Sequence, residues 1–185
     1  HESLQDWMIK KGLVGISNLD TRQIVRHIRS KGAMNAIISS EELDAQVLLE
    51  RLANVPPMLN LELASKVSTK EPYINKVENP EFRIAVLDLG IKRAMLHQMA
   101  ARGIEAHVYP AKTSFQEMET MQPDGYFISN GPGDPASTTY ATETIKEILA
   151  ANKPLFGICM GHQLLAQANG VSTYKMHHGH RAVSY

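Results

Sequence analysis

The chain has 185 residues, enough for one domain or two small ones at roughly 100–200 residues per domain. Its 43% hydrophobic and 21% charged content is that of an ordinary globular protein, and nineteen Lys+Arg against nineteen Asp+Glu leave no net charge. That balance argues against a nucleic-acid or membrane-surface partner, and no apolar run approaches the 18 or so residues that span a bilayer. A single cysteine excludes an internal disulfide framework and a cysteine-built zinc site, and implies a cytosolic protein.

Residues 1–60 read as helices around a short strand. Ser3 can cap a first helix with Leu4, Trp7 and Met8 on one face and Gly12 past its end. Asp20 and Gln23 have capping-box spacing; the helix they open turns Ile24, Val25 and Ile28 inward and stops at Gly32. Ala36-Ile37-Ile38 is a candidate strand. Ser39 and Glu42 repeat the capping-box spacing ahead of Leu43, Val47, Leu48 and Leu52, and Pro56-Pro57 ends that helix. Residues 61–81 have no sustained period and read as a connection between domains.

From Phe82 the pattern changes. Phe82–Leu89 is a near-continuous apolar run, the mark of a strand covered on both faces. A helix over 91–102, a strand over 104–109, a short helix over 115–121 and a strand over 126–129 follow. A loop over 130–137 leads to a helix over 139–151, a strand over 155–158, a helix through Ala168, and a candidate fifth strand over 171–176. Strands alternating with helices at this spacing predict a doubly wound, mostly parallel α/β sheet over 82–185, preceded by part of a smaller α+β domain. Ligands of such sheets bind beyond the carboxyl ends of the strands, where the 130–137 loop and Cys159 both fall.

Gly157-Ile158-Cys159-Met160-Gly161-His162-Gln163 has the form of a nucleophile elbow: strand, sharp glycine-flanked turn, helix. A thiol there faces the unpaired N–H groups of a helix start, and the Met160 N–H lies where an oxyanion would form. The alternative is a cysteine packed as a small hydrophobe. Ser129-Asn130-Gly131-Pro132-Gly133-Asp134-Pro135 makes a rigid turn with exposed N–H groups suited to an oxyanion or carboxylate, or simply a loop before a helix. Of the eight histidines, His162 follows Cys159 by three residues, and helix packing competes with a catalytic role for it. His177, His178 and His180 read as a polar loop rather than a metal site. Asp88 could bind a ligand or cap the next helix. No base for the thiol is identified by these patterns.

The tract from Phe156 to Leu165 resembles the nucleophile motif of class I (triad) glutamine amidotransferases, and Asn130–Pro135 resembles their oxyanion-strand motif. Leu19-Asp20-Thr21-Arg22 and Ile28–Asn35 resemble the amino-terminal domain of the small-subunit family of carbamoyl-phosphate synthetases. Asp88–Arg93 and Lys175–His180 resemble further segments of that family. The resemblance implies that Cys159 attacks the side-chain amide of L-glutamine, forming a γ-glutamyl thioester and releasing ammonia. The N–H groups of Gly131 and Met160 would form the oxyanion hole, and Gly131, Gly133, Met160 and Gln163 would contact glutamine. It further implies a heterodimer in which ammonia passes through a tunnel to a large subunit. That subunit uses ATP with magnesium and bicarbonate to make carbamoyl phosphate for arginine and pyrimidine synthesis; the small subunit itself carries no cofactor and no metal.

The family's base and its orienting partner form a His-x-Glu pair, and no His in this sequence is followed two residues later by Glu. With its start at His1 and the unmatched Ala182-Val183-Ser184-Tyr185, the sequence is expected to be an interior piece of a longer small subunit. Loss of a triad member costs orders of magnitude in rate, so the piece alone is expected to be nearly inactive. Two alternatives are another class I amidotransferase, of the anthranilate or guanylate synthesis type, and a catalytically silent glutaminase-like module that regulates a synthetase partner.

Overall fold

The computed structural model describes residues 2–179. They divide into two compact units, one formed by the chain up to Pro57 together with the stretch from Lys175, the other by Met58–Tyr174.

The first unit holds α1 (Leu4–Lys10), α2 (Thr21–Lys31) and α3 (Ala45–Ala53). The caps follow the sequence: the Ser3 side chain accepts from the Asp6 N–H and Asp20 from the Gln23 N–H, each satisfying a donor that the first helical turn leaves open. Gly32 ends α2 at φ +88°, and a Cβ there would sit 2.9 Å from the His177 carbonyl oxygen, so the return of the chain at His177 needs the glycine. Three expectations are corrected here. Ser39 closes a turn onto the Glu41 and Glu42 N–H groups rather than starting a helix; Asp44, bonded to the Gln46 N–H, caps α3 instead. Ala36–Ile38 is not a strand, because no ladder partner lies beside it among the described residues. The apolar face of α2 does not turn inward: none of its residues is buried, and Val25 keeps 53% exposure.

The second unit opens with α4 (Ala64–Val67) and is built on one five-stranded sheet. Its strands are β1 (Tyr73–Asn75), β2 (Phe82–Asp88), β3 (Ile104–Pro110), β4 (Gly125–Ile128) and β5 (Leu155–Gly157). The order is β1-β3-β2-β4-β5; all neighbours are parallel except the antiparallel β1–β3 edge. Residues 61–81, expected as a connection, thus contribute both α4 and an edge strand. Ala64 is fully buried, and its segment lies across the carboxyl end of the sheet: Thr69 N–H donates to Asp88 (2.7 Å) and Ala111 N–H to Ser68 (2.9 Å).

The helices are α5 (Arg93–Ala100), α6 (Phe115–Glu119), α7 (Thr139–Ala150) and α8 (Met160–Ala168). Successive strand residues point to opposite faces, and the burial obeys this. Ala85, Leu87, Tyr126 and Ile128 pack with Met118 of α6, Ile145 and Ile148 of α7 and Leu164 of α8. Val86, Ala106, Val108 and Phe127 pack with Leu96 of α5 on the other face. This is the doubly wound arrangement read from the apolar runs. The candidate strand over 171–176 is not formed. Val171 instead closes the end of α8 by donating to the Ala166 carbonyl, and Gln167 bonds Thr173 (2.8 Å). The candidate β-pattern was overruled by helix-end hydrogen bonding. Among the described residues no helix is long and apolar enough to cross a membrane.

Candidate functional site

After β3 the chain crosses β2 and continues on its other side as β4. The loops leaving β2 and β4 therefore belong to connections on opposite sides at the carboxyl edge, the switch point beyond which open α/β sheets bind ligands. Asp88–Lys92 forms the loop after β2 and Ser129–Asp134 the loop after β4.

The side chains of Ser129 and Asn130 hold the two loops together. The Ser129 hydroxyl, fully buried, accepts from the Leu89 N–H (2.9 Å) and donates to the Asn130 carbonyl (2.8 Å). Asn130 donates through Nδ2 to the Gly90 carbonyl (2.8 Å) and accepts from the Lys92 N–H (3.3 Å). Asp88 is 4% exposed and accepts from the N–H groups of Gly90, Ile91 and Thr69. It organises the turn after β2 and neither caps α5, whose N-cap is Lys92, nor reaches out as a ligand-binding carboxylate. Gly131 is pressed against this turn: a Cβ would lie 2.3 Å from the Leu89 carbonyl oxygen.

Cys159 stands between β5 and α8 at φ +55°, ψ −109°. This backbone region is costly for any residue with a Cβ, by about 1–3 kcal/mol, and such strain persists only where the surroundings over-determine it. They do so here. Gly161 N–H donates to the Ser129 carbonyl (3.1 Å) and Ile158 N–H to the Ile128 carbonyl (3.1 Å), which fastens the elbow to the end of β4. The helix start approaches so closely that a Cβ on Gly161 would fall 2.2 Å from the Ile128 carbonyl oxygen, and one on Gly157 2.6 Å from Gly161 backbone. Both flanking glycines are therefore required by contact, as the elbow pattern anticipated.

The thiol is exposed and unpaired, so the alternative of a cysteine packed as a small hydrophobe is excluded; the neighbouring Met160 side chain is the one that enters the core. Because Ile128 of β4 and Gly157 of β5 are paired, Cys159 and the Asn130–Gly131 loop leave adjacent strand ends side by side. Among the described residues, neither the Gly131 N–H nor the Met160 N–H is taken by a protein acceptor. Gln163 lies exposed on the first turn of α8, its N–H donating to the Cys159 carbonyl (3.1 Å). Gly133, at φ +98°, faces the other way: a Cβ would meet the Leu61 carbonyl oxygen at 2.6 Å.

Among the described residues no histidine reaches the thiol through a hydrogen bond. His162 is exposed on α8 rather than packed, correcting the helix-packing expectation. His107 does pair with a carboxylate, Glu105 (2.9 Å), but Glu105 stands opposite Arg83 near the amino end of β2, the edge away from Cys159. His177 and His178 lie in the first unit, their rings 5.5 Å apart, in an exposed loop. His180 and residues 181–185 lie outside the described residues.

An exposed cysteine at positive φ on a strand-to-helix turn, beside a glycine loop at the carboxyl edge of a mostly parallel sheet, has the form of a nucleophile elbow on an open α/β fold. The family model of glutamine amidotransferase class-I matches residues 85–184, and the chain belongs to that family. Within it, residues 1–38 match the model described as carbamoyl-phosphate synthase small chain, CPSase domain. The chain is similar to proteins named carbamoyl phosphate synthase small chain: 45% identical to that of Mycolicibacterium paratuberculosis, with 98% of this chain and 50% of the relative covered. It is 44% identical to that of Mycobacterium tuberculosis (98% and 50%) and 43% to that of Chlorobaculum tepidum (99% and 50%). The chain spans about half the length of these relatives.

Proposed function

We propose that this chain supplies the nucleophile side of a glutaminase within a carbamoyl-phosphate synthase small subunit. The observation that carries the reading is the exposed Cys159 at positive φ, with two N–H groups nearby, on Gly131 and Met160, that have no protein acceptor among the described residues. In this reading the sulfur adds to the side-chain amide carbon of L-glutamine. The carbonyl oxygen becomes an oxyanion held by the Gly131 and Met160 N–H groups, helped by the positive end of the α8 dipole. Collapse breaks the carbon–nitrogen bond, nitrogen leaves as ammonia with a proton delivered by a general acid, and a γ-glutamyl thioester remains; water then releases glutamate and restores the thiol. Gly131, Gly133, Met160 and Gln163 line the glutamine. Gly133 contributes by shaping the loop, since its own Cβ position is filled by Leu61 backbone.

The ammonia is destined for a large-subunit partner that uses ATP with magnesium and bicarbonate to make carbamoyl phosphate; the relatives' name, carbamoyl phosphate synthase small chain, supports the product and the existence of a larger partner. The test is glutaminase activity of the natural full-length polypeptide and its Cys159→Ser variant, with and without the large subunit. Ammonia release that rises with the partner and disappears in the variant supports the reading. A variant as active as the wild type overturns the thiol mechanism and leaves a regulatory glutaminase-like module.

A further inference from the structure

The glycine loop has a second support that the amidotransferase motifs do not include. Leu61 carbonyl accepts from the Asp134 N–H (2.9 Å), and Asp134 Oδ2 accepts from the Asn60 N–H (2.8 Å). Glu62 forms an antiparallel bridge with Gly133, whose missing Cβ lets the two backbones meet. The segment 60–63 is thus a short splint along the outer side of the loop. It runs directly into α4, whose Ala64 is fully buried, and the side chain of Glu62 links it to α7.

That carboxylate is tied at both oxygens. Oε1 accepts from the Ser65 N–H (2.8 Å) and from the Tyr140 hydroxyl (2.8 Å), and Oε2 accepts from the Ser65 hydroxyl (2.6 Å). Tyr140 sits in the first turn of α7, the helix anchored in the core by Ile145 and Ile148, and Lys112 lies over its ring at 5.5 Å. Partial burial alone would push the Glu62 carboxyl up; the bonds from Ser65 and Tyr140, with Lys112 nearby, outweigh it and hold the group below the usual carboxylate range. Burial and Glu62 push the Tyr140 phenol up, so it remains a donor. A charged acceptor with three donors is a stiff connection, each bond to an ionised group being stronger than a neutral one.

We propose that Glu62, held by Tyr140 and Ser65, is a positioning residue that sets the Gly131–Asp134 backbone, and with it the aim of the Gly131 N–H at the oxyanion. The inference rests on the glutaminase reading above. Glu62 touches neither substrate nor thiol; it acts through the splint. A misplacement of about 1 Å in such a donor costs roughly 100-fold in rate.

The experiment uses the natural full-length polypeptide with its large subunit and compares Glu62→Ala, Glu62→Gln and Tyr140→Phe. Three quantities are read: kcat and KM for glutamine, the alkylation rate of Cys159 by iodoacetamide, and hydrogen exchange over 130–136. Alkylation needs the thiol but no oxyanion hole. The proposal expects kcat of Glu62→Ala to fall roughly 10–100-fold with KM and alkylation changed less than about threefold. Exchange over 130–136 rises, Tyr140→Phe shows a smaller effect of the same kind, and Glu62→Gln, which keeps an acceptor at Oε1, recovers most of kcat. Unchanged kcat and exchange in Glu62→Ala overturn it. So does a parallel loss of turnover and alkylation without recovery by Glu62→Gln, which marks general damage. Should Glu62→Ala not fold, Tyr140→Phe decides by the same criteria. Activity surviving Cys159→Ser would sink the glutaminase reading instead, and the exchange data would still decide whether Glu62 holds the loop.

Discussion

Replacing Gly161 by alanine isolates the contact on which the elbow depends. In a helix the change ordinarily stabilises, by up to about 1 kcal/mol. Here the new Cβ would lie 2.2 Å from the Ile128 carbonyl oxygen, where ordinary contact begins at 3.4 Å. Ile128 belongs to β4, paired on both sides by β2 and β5, so it cannot retreat; the first turn of α8 must withdraw by about 1 Å instead. Withdrawal stretches the 3.1 Å bond from Gly161 N–H to the Ser129 carbonyl. Overpacking costs about 1–3 kcal/mol and the weakened bond about 1 kcal/mol, against the helix gain, for a net loss of about 2 kcal/mol. Cys159 and the Met160 N–H ride on that turn, so glutamine turnover should fall roughly 100-fold. Urea unfolding of the full-length polypeptide measures the first quantity and ammonia release the second. Gly170→Ala is the control: its positive φ strains the backbone, but nothing lies within 4 Å of the new Cβ, and turnover should be unaffected. A Gly161→Ala protein with unchanged urea midpoint and turnover within about threefold of wild type would refute the reasoning.

Cys159→Gly should abolish glutamine hydrolysis while stabilising the fold by about 1 kcal/mol in urea unfolding, because glycine tolerates φ +55°. Loss of both activity and stability would show that the elbow is not strained. Ser129→Ala should cost about 1–3 kcal/mol, since it leaves the buried Leu89 N–H without its acceptor; a cost below about 0.5 kcal/mol in the same assay contradicts that account. Glu62 has its carboxyl depressed in the folded state, so its contribution is present above the unfolded value and is lost as pH falls through the folded one. The difference in unfolding free energy between wild type and Glu62→Gln should therefore hold constant from pH 6 to 8 and shrink below about pH 4.5. A difference that grows on acidification reverses the sign and defeats the assignment.

Local signals made the sheet legible. Phe82–Leu89 could be read as a doubly covered strand because Val86 and Leu87 are buried on opposite faces, and a continuous apolar run records that directly. The elbow was equally open to inspection, since two glycines bracketing a cysteine encode the close approaches at Gly157 and Gly161 within five residues. What failed were elements decided by distant partners. Tyr73–Asn75 is a strand only because β3 offers it an edge, and Ala36–Ile38 is not one because no edge is offered. His162 could not be placed by spacing alone, because three residues along a helix fix a direction only once the helix axis is known.

Glu62 shows where such reading stops. Its segment has no period, its type is ordinary for a surface loop, and its partner Tyr140 is 78 residues away. Nothing local distinguishes it from Glu71 or Glu78. Its role arises from three facts that coincide only in the fold: Gly133 lacks a Cβ where Leu61 passes, Asp134 holds Asn60, and α7 begins beneath the splint. Motifs concentrate at groups that meet the substrate because chemistry dictates residue type there. Positioning groups are dictated by geometry, which many sequences satisfy, and they are found by following hydrogen bonds outward from the reactive turn. By that route the nucleophile motif marks the centre of the proposed site, and the hydrogen bonds run from its glycine loop through Asp134 and Leu61 to Glu62 and Tyr140.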